Sequence, residues 1–591
     1  MLPSLLLFAA VSVSAAVLPD QSPASSLVER SLLSSYAPTL TTCPSTSLNR
    51  VASSINPSEA AYIASRQNKA RPALASWIKS VDSTFDTSVL PIVAFAASGG
   101  GYRAMLQAAG VVQAFDSRDS STTTSGLFQG LSYFGGLSGG SWLLSSLAGN
   151  NWPTVSSLYK SKWATALADT VLLPGGIFSA PFDLLQIDLD LKAKTTAGYP
   201  TTIPDVWGRL ISFQLLSGSD GGVTDRLSGL SRLTNFASFS MPFPYMTSIG
   251  VTPGVCAGQF NGTQYEFTPY EFGSWDAGIN AFTQSAYLGT SMNNGKPSSG
   301  RCITNFDNLG YIFGTSSDYY GGVCEETNGF QIQSIPAVLT ALIKLLKGVV
   351  TDTYASYPNP FYNSASSPLV SAQSQLKLTD GGISGQNDPI WPLLQPSRNV
   401  SVIIISDNSA DTKYNMPDGR EIYHTYQRAL QTGLTKMPPV PPQTTFVAQG
   451  LTSRATFFGC NTTDTVTLVW LPNVNYIAGT NTSTTKFEYS KAASASLIAN
   501  GNKIATQNGD AKWPTCLACA IQKKTGTTLP AGCAACFANS YPAVLQPFEI
   551  AAFRQILIPT QLGRLEEVVA HFGAVPPFGI TAGRLSVHDT G

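Results

Sequence analysis

The stretch VLPIVAFAASGGGYRAMLQAAGVVQAF (residues 89–115) decides how the chain folds. Its first part is a short apolar run with the length and composition of a buried strand. Three glycines follow, and then Met105, Leu106, Ala109, Val112 and Phe115 recur at helical spacing. The polar segment DSRDSSTTTS leads into LFQGLSYF, read as a second strand. A turn, GGLSGG, and a second helical run, SWLLSSLAG, come next. Two strand–glycine–helix units in succession predict an α/β fold built on a parallel sheet.

Both glycine turns carry chemistry. Gly99-x-Gly101-x-x-Ala104 fits the looser dinucleotide fingerprint. That reading also needs an acidic residue after the next strand to hold a ribose, and the strand ends instead at Gly136-Leu137-Ser138. The better reading is an oxyanion hole. The backbone N–H groups of Gly100 and Gly101 can approach a ligand closely at the positive end of the following helix. Arg103, in the first turn of that helix, opposes the helix dipole. A bound phosphate or carboxylate would account for it, as would an arginine reaching into solvent.

Ser138 lies in Gly136-Leu137-Ser138-Gly139-Gly140, a G-x-S-x-G pattern on a strand-to-helix turn. Such a turn exposes the hydroxyl, and the N–H of Gly139 can add to the oxyanion hole. A nucleophilic serine needs a base. The chain has only three histidines, His424, His571 and His588. The first lies mid-helix in EIYHTYQRAL and the other two in the C-terminal tail, so a Ser-His-Asp triad is poorly supported. A carboxylate is the better candidate. Asp380 follows an alternating strand, QLKLTD, and precedes two glycines. The same Asp-Gly-Gly at Asp220 follows Ser-Gly-Ser and reads as an ordinary loop. As a base, Asp380 needs burial to raise its pKa.

The segments Gly99–Met105, Gly136–Trp142 and Asp380–Gly382 together resemble the fungal lysophospholipase, or phospholipase B, family. EFTPYEFGSWDAGINAFTQSAYLGTSMNNGKP (266–297), YAPTLTTCPS and KWPTCLACAI support the resemblance. That catalytic module is shared with cytosolic phospholipase A and related to patatins. The resemblance implies a three-layer α/β/α fold with a mainly parallel central sheet, and insertions forming a cap or lid. It also implies hydrolysis of acyl esters in lysophospholipids and diacylphospholipids at a membrane or micelle surface. In that reading Ser138 is the nucleophile, Asp380 the base, Gly100 and Gly101 the oxyanion hole, and Arg103 a contact to phosphate. No metal or other cofactor is expected in the chemistry, and no obligate protein partner is inferred. The competing readings are a triad lipase using His424 and a lipid-binding glycoprotein with a decayed site.

The whole 591-residue chain has zero net charge, and 12% of its residues are charged. It therefore lacks the basic footprint of a nucleic-acid binder. MLPSLLLFAAVSVSAA reads as a secretory signal cut near Ala16. Sequons at Asn261, Asn399, Asn461 and Asn481 agree with export and glycosylation. Nine cysteines are an odd number, so at least one lacks an intramolecular partner. In an oxidising compartment, Cys516-x-x-Cys519 and Cys533-x-x-Cys536 favour disulfides over zinc, with the pairing open. The expected organisation is a signal peptide over 1–16, an arm over 17–40, the catalytic domain over 41–540 and a divergent tail over 541–591. No C-terminal lipid anchor is expected. The apolar run Ser334–Val350 reads as a core helix or an interfacial lid, and FSMPFPYMTSIG (239–250) as core.

Overall fold

A computed structural model describes residues 36–174, 176–251, 262–319, 350–462 and 464–540. A 12-stranded sheet runs through these residues. Its strands in chain order are Asn49–Val51 (β1), Val93–Ala97 (β2), Leu131–Gly136 (β3), Phe243–Gly250 (β4), Gln264–Phe267 (β5) and Glu271–Ser274 (β6). They continue with Ala281–Gln284 (β7), Ala355–Pro358 (β8), Gln375–Asp380 (β9), Val402–Asp407 (β10), Thr456–Phe458 (β11) and Thr467–Pro472 (β12). The spatial order is β11-β12-β10-β2-β3-β4-β5-β6-β7-β1, with the β8–β9 pair attached to β4.

The sheet is mixed rather than mainly parallel. The run β12-β10-β2-β3-β4 is parallel, whereas β5, β6, β7 and β1 continue it antiparallel. Helical crossovers carry the chain between parallel neighbours, but residues 264–284 return through tight reversals that permit only antiparallel pairing. Residues 127–134, read as one strand, divide into a short helical turn at Phe128–Gly130 and then β3.

The helices that frame the site are Pro57–Val81 (α1), Gly101–Phe115 (α2), Gly139–Gly149 (α3), Leu309–Ser316 (α4), Arg420–Thr432 (α5) and Lys491–Ala505 (α6). Side chains of β2 alternate between the two faces. Val93, Phe95 and Ala97 join one apolar core with α2, α3, α4 and α6, while Ala94 and Ala96 join another with α1 and α5. Burial on both faces of the central strands makes the three layers. Residues Phe243 to Ile249 of β4 are all buried, as the core reading of that aromatic segment requires.

Cys516 pairs with Cys536 and Cys519 with Cys533, so the two Cys-x-x-Cys motifs clasp each other with all four sulfurs in disulfides. Cys43 pairs with Cys302 and pins the N-terminal segment, whose Tyr36 hydroxyl donates to Asp205 at 2.9 Å. Cys460 is buried and is the described cysteine without a disulfide. Cys256, Cys324, Asn261, residues 334–349 and the 541–591 tail lie outside the described residues. Asn399, Asn461 and Asn481 are exposed.

Candidate active site

Strand β4 brings the two chemical residues together. Its first half pairs with β3, Gly136 lying opposite Met246. Its second half pairs with β9, Asp380 lying opposite Ser248. The strand that leads to Ser138 and the strand that ends at Asp380 thus meet their shared neighbour two residues apart.

Ser138 caps α3 with φ +50° and ψ −119°, a conformation that costs a non-glycine residue on the order of 1–3 kcal/mol. The turn holds because its surroundings leave no alternative. A Cβ at Gly139 would collide with the carbonyl oxygen of Gly101, and one at Gly140 with that of Ala97. The Ser138 N–H donates to Ser316 Oγ at 3.1 Å, and Ser316 Oγ donates to the Thr247 carbonyl at 2.7 Å. Asp380 N–H reaches the Asp318 carbonyl at 3.4 Å. The end of α4 therefore acts as a spacer between Ser138 and Asp380, a role that nothing in the sequence around Ser316 signals.

Ser138 and Asp380 are both buried and line the same cavity, and the Ser138 hydroxyl is close enough to Asp380 to favour its ionised form. Burial pushes the Asp380 carboxyl up to about 6, partly offset by a hydrogen bond from the Gly382 N–H, at 2.8 Å, and by the neighbouring Ser138 hydroxyl. Gly100 (φ +134°) and Gly101 (φ +64°) occupy backbone conformations that favour glycine, and Gly100 lines the cavity in front of Ser138. Among the described residues, the N–H groups of Gly100, Gly101 and Gly139 have no hydrogen-bond acceptor. Three free donors beside a serine hydroxyl can stabilise an alkoxide.

Arg103 is placed differently from the expectation of a phosphate contact. It is fully buried behind the glycine loop and does not line the cavity. Its guanidinium donates to the carbonyl of Asn408 at 3.0 and 3.2 Å, to that of Thr482, and to Thr484 Oγ1 at 3.2 Å. A buried guanidinium must fill its donors, and these loop oxygens do so. Burial lowers its pKa to about 10. His424 sits on α5 with Nδ1 3.2 Å from the Gly385 carbonyl, outside the cavity lining. His571 and His588 lie outside the described residues.

The cavity of about 430 Å³ is lined by Gly100, Ser138, Asp380, Asn387, Asp411 and Glu421 among others. Asn387 joins the parts, since its Nδ2 donates to the Gly99 carbonyl at 3.2 Å and to Ser409 Oγ at 2.8 Å. Sequence reasoning missed Asn387, Asp411 and Glu421. The signal for the first was its place seven residues after Asp380 in the same turn-rich segment.

A second group of acids, Glu59, Glu266 and Glu271, brings its oxygens within 4.8 Å of one another. Arginines already neutralise them. Arg398 bonds Glu59 at 2.8 and 3.1 Å and Glu266 at 2.7 Å, and Arg50 pairs with Glu271.

Residues 93–541 match the family described as the lysophospholipase catalytic domain. The chain is 36% identical over 541 residues to Lysophospholipase 2 of Aspergillus fumigatus, covering 85% of this chain and 92% of that protein. It is 37% identical over 552 residues to Lysophospholipase 1 of Saccharomyces cerevisiae, covering 85% and 83%. Among solved structures, human GIVD cytosolic phospholipase A2 is similar with a TM-score of 0.64 at 18% identity, covering 81% of this chain and 69% of that one.

Proposed function

The chain belongs to the lysophospholipase catalytic-domain family, and on that footing we propose that it is a secreted, glycosylated lysophospholipase/phospholipase B working through a Ser138–Asp380 dyad. It is a hydrolase of lipid esters. The observation that carries the dyad is that Ser138 and a buried Asp380 with a raised pKa line one cavity, with the Ser138 hydroxyl close enough to favour the ionised carboxyl.

In the proposed reaction the Ser138 proton passes to Asp380 as Oγ attacks the acyl carbon. Gly100, Gly101 and Gly139 N–H groups hold the resulting alkoxide. The ester C–O bond then breaks, and Asp380 returns the proton to the departing glycerol oxygen. Water, deprotonated by Asp380, adds to the acyl-serine, and its collapse frees the fatty acid and restores Ser138. Arg103 serves this reaction by fixing the glycine loop to Asn408 and Thr482. A phosphate reaches its guanidinium only if the Thr482–Thr484 segment moves. The disulfides and the exposed Asn399, Asn461 and Asn481 support the secreted, glycosylated reading. The pairing of Ser138 with a buried Asp380 in one cavity weighs against a decayed site.

Fatty-acid release from lysophosphatidylcholine by the His424→Ala variant separates dyad from triad. A dyad predicts retention of activity within about tenfold, whereas a triad loses several orders of magnitude. The pH profile is a second test. A general base must be ionised, so kcat/KM should fall about tenfold per pH unit below about 6. An acidic limb that stays flat down to the ordinary carboxylate range would remove Asp380 from the role.

A further inference from the structure

The glycine loop that carries the Gly100 and Gly101 donors must stand at a fixed distance from the turn that carries Asp380. Strand pairing does not set that distance directly, because β3 and β4 stand between β2, which leads into the loop, and β9, which ends at Asp380. Among the described residues, every hydrogen bond between residues 98–101 and residues 380–388 involves Asn387. The Gly99 N–H donates to the Asn387 carbonyl at 3.3 Å, and Asn387 Nδ2 donates back to the Gly99 carbonyl at 3.2 Å, across 288 residues of chain. One residue thus holds both polar backbone groups of the glycine that precedes the two donors.

The orientation of the Asn387 amide follows from its partners. A carbonyl oxygen only accepts, so the nitrogen must face Gly99, and its second hydrogen goes to Ser409 Oγ at 2.8 Å. Both amide hydrogens are therefore spent, and Asn387 does not itself donate to an alkoxide. Its Oδ1 fills the space beside Gly99 and Gly382, where a Cβ on either glycine would collide with it. Gly382 is the residue whose N–H donates to the Asp380 carboxyl at 2.8 Å. One small side chain thus touches the glycine loop and the turn that orients the carboxyl. Its own backbone N–H donates to Glu421 Oε2 at 2.8 Å, which anchors it to α5. The Gly99 carbonyl also accepts from Ser98 Oγ at 3.1 Å, so loss of the amide does not strand a buried acceptor.

We propose that Asn387 is a positioning residue that sets the Gly100 and Gly101 N–H groups against the oxygen on which charge develops. This rests on the Ser138–Asp380 reading above. Misplacing donors by a fraction of an ångström weakens the transition state and leaves the ground-state ester nearly untouched. The loss should therefore fall on kcat and spare KM.

The test uses lysophosphatidylcholine and its thiono analogue, in which sulfur replaces the acyl carbonyl oxygen. Sulfur is larger and accepts hydrogen bonds poorly, so a fitted set of donors favours the oxygen ester. Wild type should prefer it by about 10²-fold, and Asn387→Ala should lose about 10²-fold in kcat on the oxygen ester, with that preference falling to about tenfold or less. KM should change by no more than about threefold. A smaller folded fraction lowers both rates alike and leaves their ratio unmoved. Asn387→Asp keeps the shape but, when ionised, has no hydrogen for the Gly99 carbonyl. It should show the same fall in ratio, and it carries the test if the alanine variant does not accumulate. A ratio equal to that of wild type in the variants overturns the proposal, as does a loss confined to KM. So does a wild type without preference for the oxygen ester, because no fitted donors would then exist to be positioned. Full activity in Ser138→Ala would remove the dyad reading and this one with it. An inactive Ser138→Ala beside an unmoved ratio in the Asn387 variants removes Asn387 alone.

Discussion

Replacing Ser138 by alanine or Asp380 by asparagine is expected to lower fatty-acid release by at least about 10⁴-fold while the protein stays folded, because residues that act as one catalytic unit fail together. The two substitutions should cost nearly the same, and the double variant little more than either alone. Ser138→Ala removes the attacking oxygen and no packing of consequence. Asp380→Asn keeps the size of the side chain and its bond to the Gly382 N–H, but removes the basic oxygen that Ser138 needs. A lipid fluorophosphonate gives an independent readout of the nucleophile. The serine oxygen displaces fluoride and leaves one phosphonyl group on the protein, which mass spectrometry locates. Wild type should be labelled at Ser138, Asp380→Asn only slowly, and Ser138→Ala not at all. Retention of more than about a tenth of the wild-type rate by Asp380→Asn would sink the dyad.

The second large effect concerns stability. Arg398→Ala is expected to destabilise the protein by about 3–5 kcal/mol, or to prevent its accumulation, because it strands two buried carboxylates. Arg398 is fully buried and donates to Glu59 of α1, to Glu266 of β5 and to the Pro392 carbonyl at 3.0 Å. Glu59 also accepts from the Tyr133 hydroxyl at 3.0 Å, and Tyr133 belongs to β3, the strand that leads to Ser138. The network therefore ties α1, β3, β5 and the segment after Asp380 into one block. Adding Glu59→Gln and Glu266→Gln to Arg398→Ala should recover part of the loss, since the stranded charges are what cost. Chemical denaturation of the purified variants measures this, and wild-type stability in Arg398→Ala would show that the pairs contribute nothing net.

The two Asp-Gly-Gly segments show where sequence reading works and where it stops. Asp220 accepts from the Gly222 N–H at 3.0 Å, and Asp380 from the Gly382 N–H at 2.8 Å, so they form the same local turn. The alternating strand before Asp380 was the legible difference, because Leu376 and Leu378 point inward from β9. What that strand pairs with was not legible. Arg103 illustrates the opposite limit. Its place in the first turn of α2 was readable, but its direction depends on Asn408 and Thr482, more than 300 residues further along the chain.

The two strand–glycine–helix units, the glycine-flanked serine turn and the candidate base were all legible in the sequence, because each rests on local rules: apolar periodicity, the freedom of glycine and turn chemistry. Tertiary structure alone decided that the sheet is mixed, that β4 brings the ends of β3 and β9 side by side, and which cysteines pair. It also decided that Asp380, Asp411 and Glu421, from three separate segments, line one cavity. Those outcomes depend on contacts between residues far apart in the chain, which local patterns do not encode. Burial, which sets the basicity of Asp380 and Glu421 alike, exists only once those contacts have formed.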